Sequence, residues 1–158
     1  MSAEFDIPSL YFSTAVKDVV RTMAGLELNE IKPFSENDEA VLEEVTGLLM
    51  MVGEPNVLLS LSMSKKTALT FVVYMTGIVN SQINDSELND CVAELTNMIA
   101  GQIKTQLAGL GHHFKILPPI VVAGSSYNIV HKNKVENKSK RFRAGSIDFV
   151  LKIYYYNS

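Results

Sequence analysis

Residues 84–111 read NDSELNDCVAELTNMIAGQIKTQLAGLG, and the reading of this stretch decides the fold. Asp85 or Ser86 is suited to cap a helix start, because a short side-chain oxygen accepts a hydrogen bond from an orphan N–H of the first turn. Gly109 and Gly111 mark the end, since glycine takes the left-handed conformation at little cost. Between them Leu88, Val92, Leu95, Ile99, Ile103 and Leu107 recur at steps of three and four, which predicts a buried helix face. Asp90, Glu94, Asn97, Gly101 and Lys104 follow the same period on the other side, so Glu94 and Asn97 stand next to each other on one polar stripe. A glycine inside a helix costs about 1 kcal/mol against alanine, and at Gly101 the missing side chain would let another surface come close. Periodicity alone leaves two readings of that stripe: the wet face of an amphipathic helix, or a site.

The composition sets the frame around this helix. A length of 158 residues fits one domain spanning residues 1–158 with a proper core. A formal charge of −3 gives no overall attraction to nucleic acid or anionic lipid. The single cysteine, Cys91, falls near the apolar side of the helix and reads as a buried free thiol. The N-terminal residues lack a basic segment followed by an apolar run, and no apolar stretch is long enough to span a bilayer, so a cytoplasmic protein is expected.

Outward from the long helix, residues 10–23 carry Leu10, Val16, Val19, Val20 and Met23 on one side and predict a first helix closed by Gly25. Residues 27–40 are polar, contain Pro33 and read as a connection with room for one short strand. Residues 41–52 and 56–63 predict paired strands around a Gly53–Asn56 turn, and Ser64 opens a helix over residues 65–75 that ends at Gly77. After the long helix, residues 114–123 are extended, and Pro118 and Pro119 exclude an ordinary central strand. Further strands are expected from residue 127 to residue 130 and from residue 147 to residue 156. In the last of these Phe149, Leu151, Ile153 and Tyr155 alternate with Val150, Lys152, Tyr154 and Tyr156. Helices and strands in this order make a mixed α+β domain.

The chain holds no cysteine pair, no H-E-x-x-H, no phosphate-cradling glycine motif and no nucleophile elbow. His112 and His113 read as part of the loop after the helix, where a protonated imidazole suits a helix C-terminus. The basic stretch KNKVENKSKRFR, residues 132–143, has two readings. One is a solvated hairpin tip, the other a surface that steers the chain towards an acidic partner. Its lone aromatic, Phe142, and the acidic balance of the chain argue against nucleic acid.

The wider run of residues 91–124, CVAELTNMIAGQIKTQLAGLGHHFKILPPIVVAG, resembles the CheX branch of the CheC/CheX/FliY family of chemotaxis phosphatases. Asp90, Glu94 and Asn97 match the family motif at its helical spacing, as do Asn97, Met98, Ala100 and Gly101 after it and Pro118, Pro119, Val121 and Val122 downstream. The resemblance implies a mostly antiparallel sheet with long helices packed on one face and a pseudo-twofold internal repeat. It also implies a phosphatase acting on a phosphorylated CheY-like response regulator, which brings the aspartyl phosphate, the Mg²⁺ and a lysine, so that no cofactor of the chain's own is expected. In the implied mechanism Asn97 positions the attacking water and Glu94 pairs with the regulator's lysine. Asp90, Gly101 and Lys104, on the same stripe, are candidate partner contacts. The first helix shows Lys17, Asp18 and Arg21 where some relatives carry a second Glu-x-x-Asn, so one site per chain is expected. A homodimer is implied as well, although relatives carry a more apolar strand pair where residues 132–143 stand. The competing reading is a catalytically silent adaptor that binds a regulator; a structural part of the flagellar switch is a third.

Overall fold

The computed structural model describes residues 7–33, 43–124, 127, 130 and 135–156. Three helices and a seven-stranded sheet follow in the order α1 (Leu10–Ala24), β1 (Asn29–Ile31), β2 (Val45–Val52), β3 (Asn56–Met63), α2 (Lys65–Thr76), α3 (Asp85–Ala108), β4 (Lys115–Ile116), β5 (Ile120–Ala123), β6 (Glu136–Ala144) and β7 (Ile147–Tyr156), with a short 3-10 turn at Asn80–Gln82. The sheet runs β1-β6-β7-β3-β2-β4, with β5 also paired to β2, and every pairing is antiparallel.

The alternation of β3 and β7 explains why they are central. Val57, Leu59, Leu61 and Met63 pair directly with Tyr155, Ile153, Leu151 and Phe149, and all eight are buried. Side chains of one parity on neighbouring strands share a face, so this row forms the sheet's contribution to the core. The helices cover that face. Phe12 of α1 meets Tyr155 edge to face, Phe71 of α2 meets Phe149, and α3 lies over β2. A close approach sets the last contact. A Cβ on Gly47 of β2 would collide with the Thr96 side chain, so a glycine at that position lets α3 descend onto the sheet.

The two prolines act as expected. Pro118 and Pro119 stand between β4 and β5, both edge strands on β2, where a missing N–H breaks no ladder inside the sheet. The strand expected from residue 41 begins at Val45, with residues 41 and 42 outside the described residues. Of the strand expected at residues 127–130, Tyr127 and Val130 lie outside any strand and the two between them are not described.

The basic stretch corrects the sequence reading. Of residues 132–143, read as a solvated hairpin tip or a steering surface, residues 136–143 belong to β6, a full strand inside the sheet, while residues 132–134 lie outside the described residues. Lys140 and Arg141 are buried. The Lys140 ammonium donates to Ser13 Oγ of α1 at 2.7 Å and to Glu30 Oε1 of β1 at 3.0 Å. Arg141 grips Asp148 of β7 through Nε at 2.9 Å and Nη2 at 2.7 Å, and Arg143 adds a 3.1 Å contact to the same carboxylate. The positive charges are therefore absorbed by acidic partners within the fold. That weakens the steering reading for these three residues.

Candidate active site

The candidate site stands on α3, and its position begins with the cap. Asn84, not Asp85 or Ser86, opens the helix: its Oδ1 accepts from Glu87 N at 2.8 Å while Glu87 Oε2 accepts from Asn84 N at 3.1 Å. The reciprocal pair requires a glutamate or glutamine three residues after the cap; Asp85 is followed there by Leu88 and Ser86 by Asn89, and only Asn84 is followed by a glutamate. At the other end Gly109 keeps right-handed geometry, and Gly111 alone takes positive φ, at 87°. His112 and His113 follow in the turn, as expected, and His112 N donates to Leu107 O at 3.0 Å.

Between these ends the helix divides as its period predicts. Leu88, Val92, Leu95, Ile99, Ile103 and Leu107 are all buried against α1, α2 and the sheet. Asp90, Glu94, Asn97 and Lys104 are exposed, and Gly101 is half-buried. Glu94 and Asn97 are neighbours at a spacing of three, which places their Cβ atoms about 5–6 Å apart on one helix surface. Among the described residues neither side chain is tied up in a hydrogen bond or an ion pair. An amide and a carboxylate are thus presented outward from a rigid backbone, ready to meet groups on another molecule.

Cys91 sits one turn before Glu94 and takes no part in that surface. Its thiol donates to Met75 Sδ at 3.7 Å, and burial, helped by the Glu94 charge, pushes its pKa up to about 11. It remains a protonated packing group at neutral pH. Among the described residues no cluster of three His, Cys, Asp or Glu side chains could hold a metal ion. Among the described residues no helix is long and apolar enough to cross a membrane.

Beside the stripe the structure shows something the sequence does not. The outer edges of α1 and α3 leave an open groove of about 350 Å³. Asp18, Val19 and Thr22 line it from α1, and Met98, Gly101, Gln102 and Thr105 from α3. Gly101 is the link between groove and stripe, and a Cβ added to it would meet nothing within 4 Å. Its place inside a helix therefore has no explanation in the packing of the described residues. The only sequence signal for the α1 wall is the i, i+4 spacing of Asp18 and Thr22.

A layer of three helices on one face of an antiparallel sheet is the architecture of the CheC/CheX-like α+β proteins. Among solved structures, the chemotaxis protein CheX of Vibrio vulnificus superposes with a TM-score of 0.79 at 30% identity, over 92% of this chain and 94% of that one. The chain belongs to the CheX family: the family model described as Chemotaxis phosphatase CheX matches residues 45–142. The CheY-P phosphatase CheX of Thermotoga maritima is 30% identical over 116 residues, 73% of this chain and 74% of the relative. The Borrelia burgdorferi protein of a CheX-CheY-BeF3-Mg²⁺ complex shares the fold, with a TM-score of 0.74 at 22% identity over 94% and 97% of the two chains.

Proposed function

We propose that the chain is a phosphatase of a CheY-like response regulator, acting on its aspartyl phosphate with Glu94 and Asn97. The observation that carries this reading is the pair itself: an exposed carboxylate and amide, unengaged by the described residues, side by side on the longest helix of a CheX-family domain. The Thermotoga maritima relative is named for dephosphorylating CheY-P, and the Borrelia burgdorferi relative was solved on CheY, which supports the same partner class.

Phosphoryl transfer asks little covalent chemistry of a protein, so positioning can supply most of the effect. The Asn97 amide both accepts from and donates to a water, holding it in line with the P–O bond of the regulator's phosphoaspartate. A neutral amide is a poor base, and its contribution is orientation. Glu94 carries negative charge and would repel the phosphoryl oxygens. Its fitting partner is the regulator's lysine, a pairing that fixes the docked geometry. Mg²⁺ belongs to the regulator and neutralises charge on the phosphoryl group. Asp90 and Lys104, further along the stripe, contact the regulator's surface. The protein acts in the cytoplasm as a homodimer.

The test is phosphate release from a CheY-like regulator loaded with acetyl phosphate and Mg²⁺. Wild type should accelerate it, and Asn97→Ala should lose roughly 10²-fold or more of that acceleration. Glu94→Ala should weaken both binding and rate, by about 2 kcal/mol or more in total. Equal acceleration by wild type and Asn97→Ala would remove Asn97 from the mechanism. Binding without acceleration by wild type would identify a silent adaptor instead.

A further inference from the structure

We infer that the groove between α1 and α3 receives a lysine or arginine side chain of the docked regulator, with Asp18 as its counter-charge, and so helps to select the regulator. The inference rests on the phosphatase reading and extends it to a surface contributed by the first helix.

The geometry comes first. The groove reaches α3 at Met98 and Gly101, one residue and one helical turn beyond Asn97. A partner that brings a phosphoaspartate to Asn97 covers about 800 Å² in an interface of standard size, a footprint wide enough to take in the adjoining groove. Gly101 keeps its floor low at a conformational cost that no contact among the described residues requires.

The chemistry of the lining then selects the occupant. Val19 and Met98 supply apolar wall, suited to the methylene stem of a long side chain. The described lining residues also bring several acceptors and no cation. Asp18 brings a carboxylate, Thr22 and Thr105 bring hydroxyl oxygens, and Gln102 brings an amide carbonyl. Thr105 already spends its hydroxyl hydrogen on Gly101 O at 3.0 Å, which leaves its oxygen as an acceptor. Asp18 remains available. Its contact with Arg21 is long, at 3.7 Å, whereas Arg21 holds Glu27 at 3.0 Å, and neither Arg21 nor Glu27 lines the groove. A cationic head on an aliphatic stem fits this arrangement, and an anionic or purely apolar side chain does not.

The experiment uses the full chain and each CheY-like single-domain regulator of the source organism, loaded with acetyl phosphate and Mg²⁺. Initial rates are measured for wild type, Asp18→Asn, Thr22→Lys and Asn97→Ala at two salt concentrations. With the regulator that wild type serves, Asp18→Asn should raise KM roughly three- to tenfold, leave kcat unchanged and flatten the salt dependence of KM. Thr22→Lys, which puts a cation of the chain's own in the groove, should raise KM further. Asn97→Ala should instead lower kcat. A KM unmoved by both groove variants, while wild type is active and Asn97→Ala is not, overturns the groove assignment and leaves the phosphatase standing. No acceleration of any regulator by wild type overturns both.

Discussion

Two glycines of this domain are held for opposite reasons, and their replacement should move stability in opposite directions. Gly47 lies under α3, where an added methyl would run into Thr96. Thr96 cannot easily turn away, because it is buried and its hydroxyl donates to Val92 O at 2.7 Å. Gly47→Ala should therefore destabilise the protein by about 1–3 kcal/mol, the usual range for overpacking. Thr96→Ala in the same chain should recover part of that loss, since the two positions share one contact. Gly101 meets open space, and Gly101→Ala should stabilise the fold by about 0.5–1 kcal/mol. Urea unfolding of wild type and the three variants measures all of this, and a stabilising Gly47→Ala would contradict the packing described. If Gly101 serves an approaching regulator, Gly101→Ala should also raise the KM for it. At this scale the sequence spoke clearly for the outer stripe, because helical period alone separates Glu94 and Asn97 from Leu95 and Ile99. It was silent on Gly47, whose neighbour is a helix almost fifty positions away.

Among the elements, β6 was the hardest to read and is the most dependent on charge. Its residues alternate lysine with asparagine, serine and arginine, so no apolar period of two announces a strand. The available signal was the turn: Gly145-Ser146 is a two-residue hairpin loop, Gly145 has φ 57°, and Ala144 pairs with Ile147 across it. β6 joins the sheet because its cations find acids on the strands beside it. Burial alone would raise the Asp148 carboxyl, yet the hydrogen bonds and charges of Arg141 and Arg143 outweigh it and hold the group below its ordinary 3.8. Glu30 follows the same logic: burial opposes ionisation, and Lys140 and Ser13 prevail, so it lies below its ordinary 4.5. A carboxyl that is more acidic when folded binds fewer protons in the native state than in the unfolded one. Its contribution to stability is complete above the ordinary carboxyl value and fades as pH falls through the folded value. The melting temperature should therefore drop as pH is lowered from about 5 towards 3. The drop should be shallower in Glu30→Gln and in Asp148→Asn, each of which starts from a lower melting temperature at pH 7. Calorimetry across that range checks it, and variants that fall as steeply as wild type would remove these carboxyls from the acid response.

For the molecule as a whole, α3 joins a core and an exposed surface along a single rod. The helices, the β2–β3 pair and β7 were legible because each has one apolar face and a matching period. The groove was not, because it exists only where α1 and α3 meet across some eighty residues of chain. This division of α3 makes a claim about separability. Asn97 is exposed and makes no contact that the described fold needs, so Asn97→Ala should unfold within about 0.5 kcal/mol of wild type. Leu95 is two residues away and 1% exposed, wedged in the core. Leu95→Ala should cost about 2–5 kcal/mol through the cavity it leaves. Activity should sort the other way. Measured below its melting transition and normalised to folded protein, Leu95→Ala should keep most of its phosphatase activity, while Asn97→Ala at full stability should have almost none. Denaturant unfolding and phosphate release on the same preparations give both axes. A large stability loss in Asn97→Ala would mean that the outer stripe supports the fold, and its loss of activity would then say little about chemistry. An inactive but folded Leu95→Ala would mean that the inner face sets the geometry of the pair more tightly than a rigid helix requires.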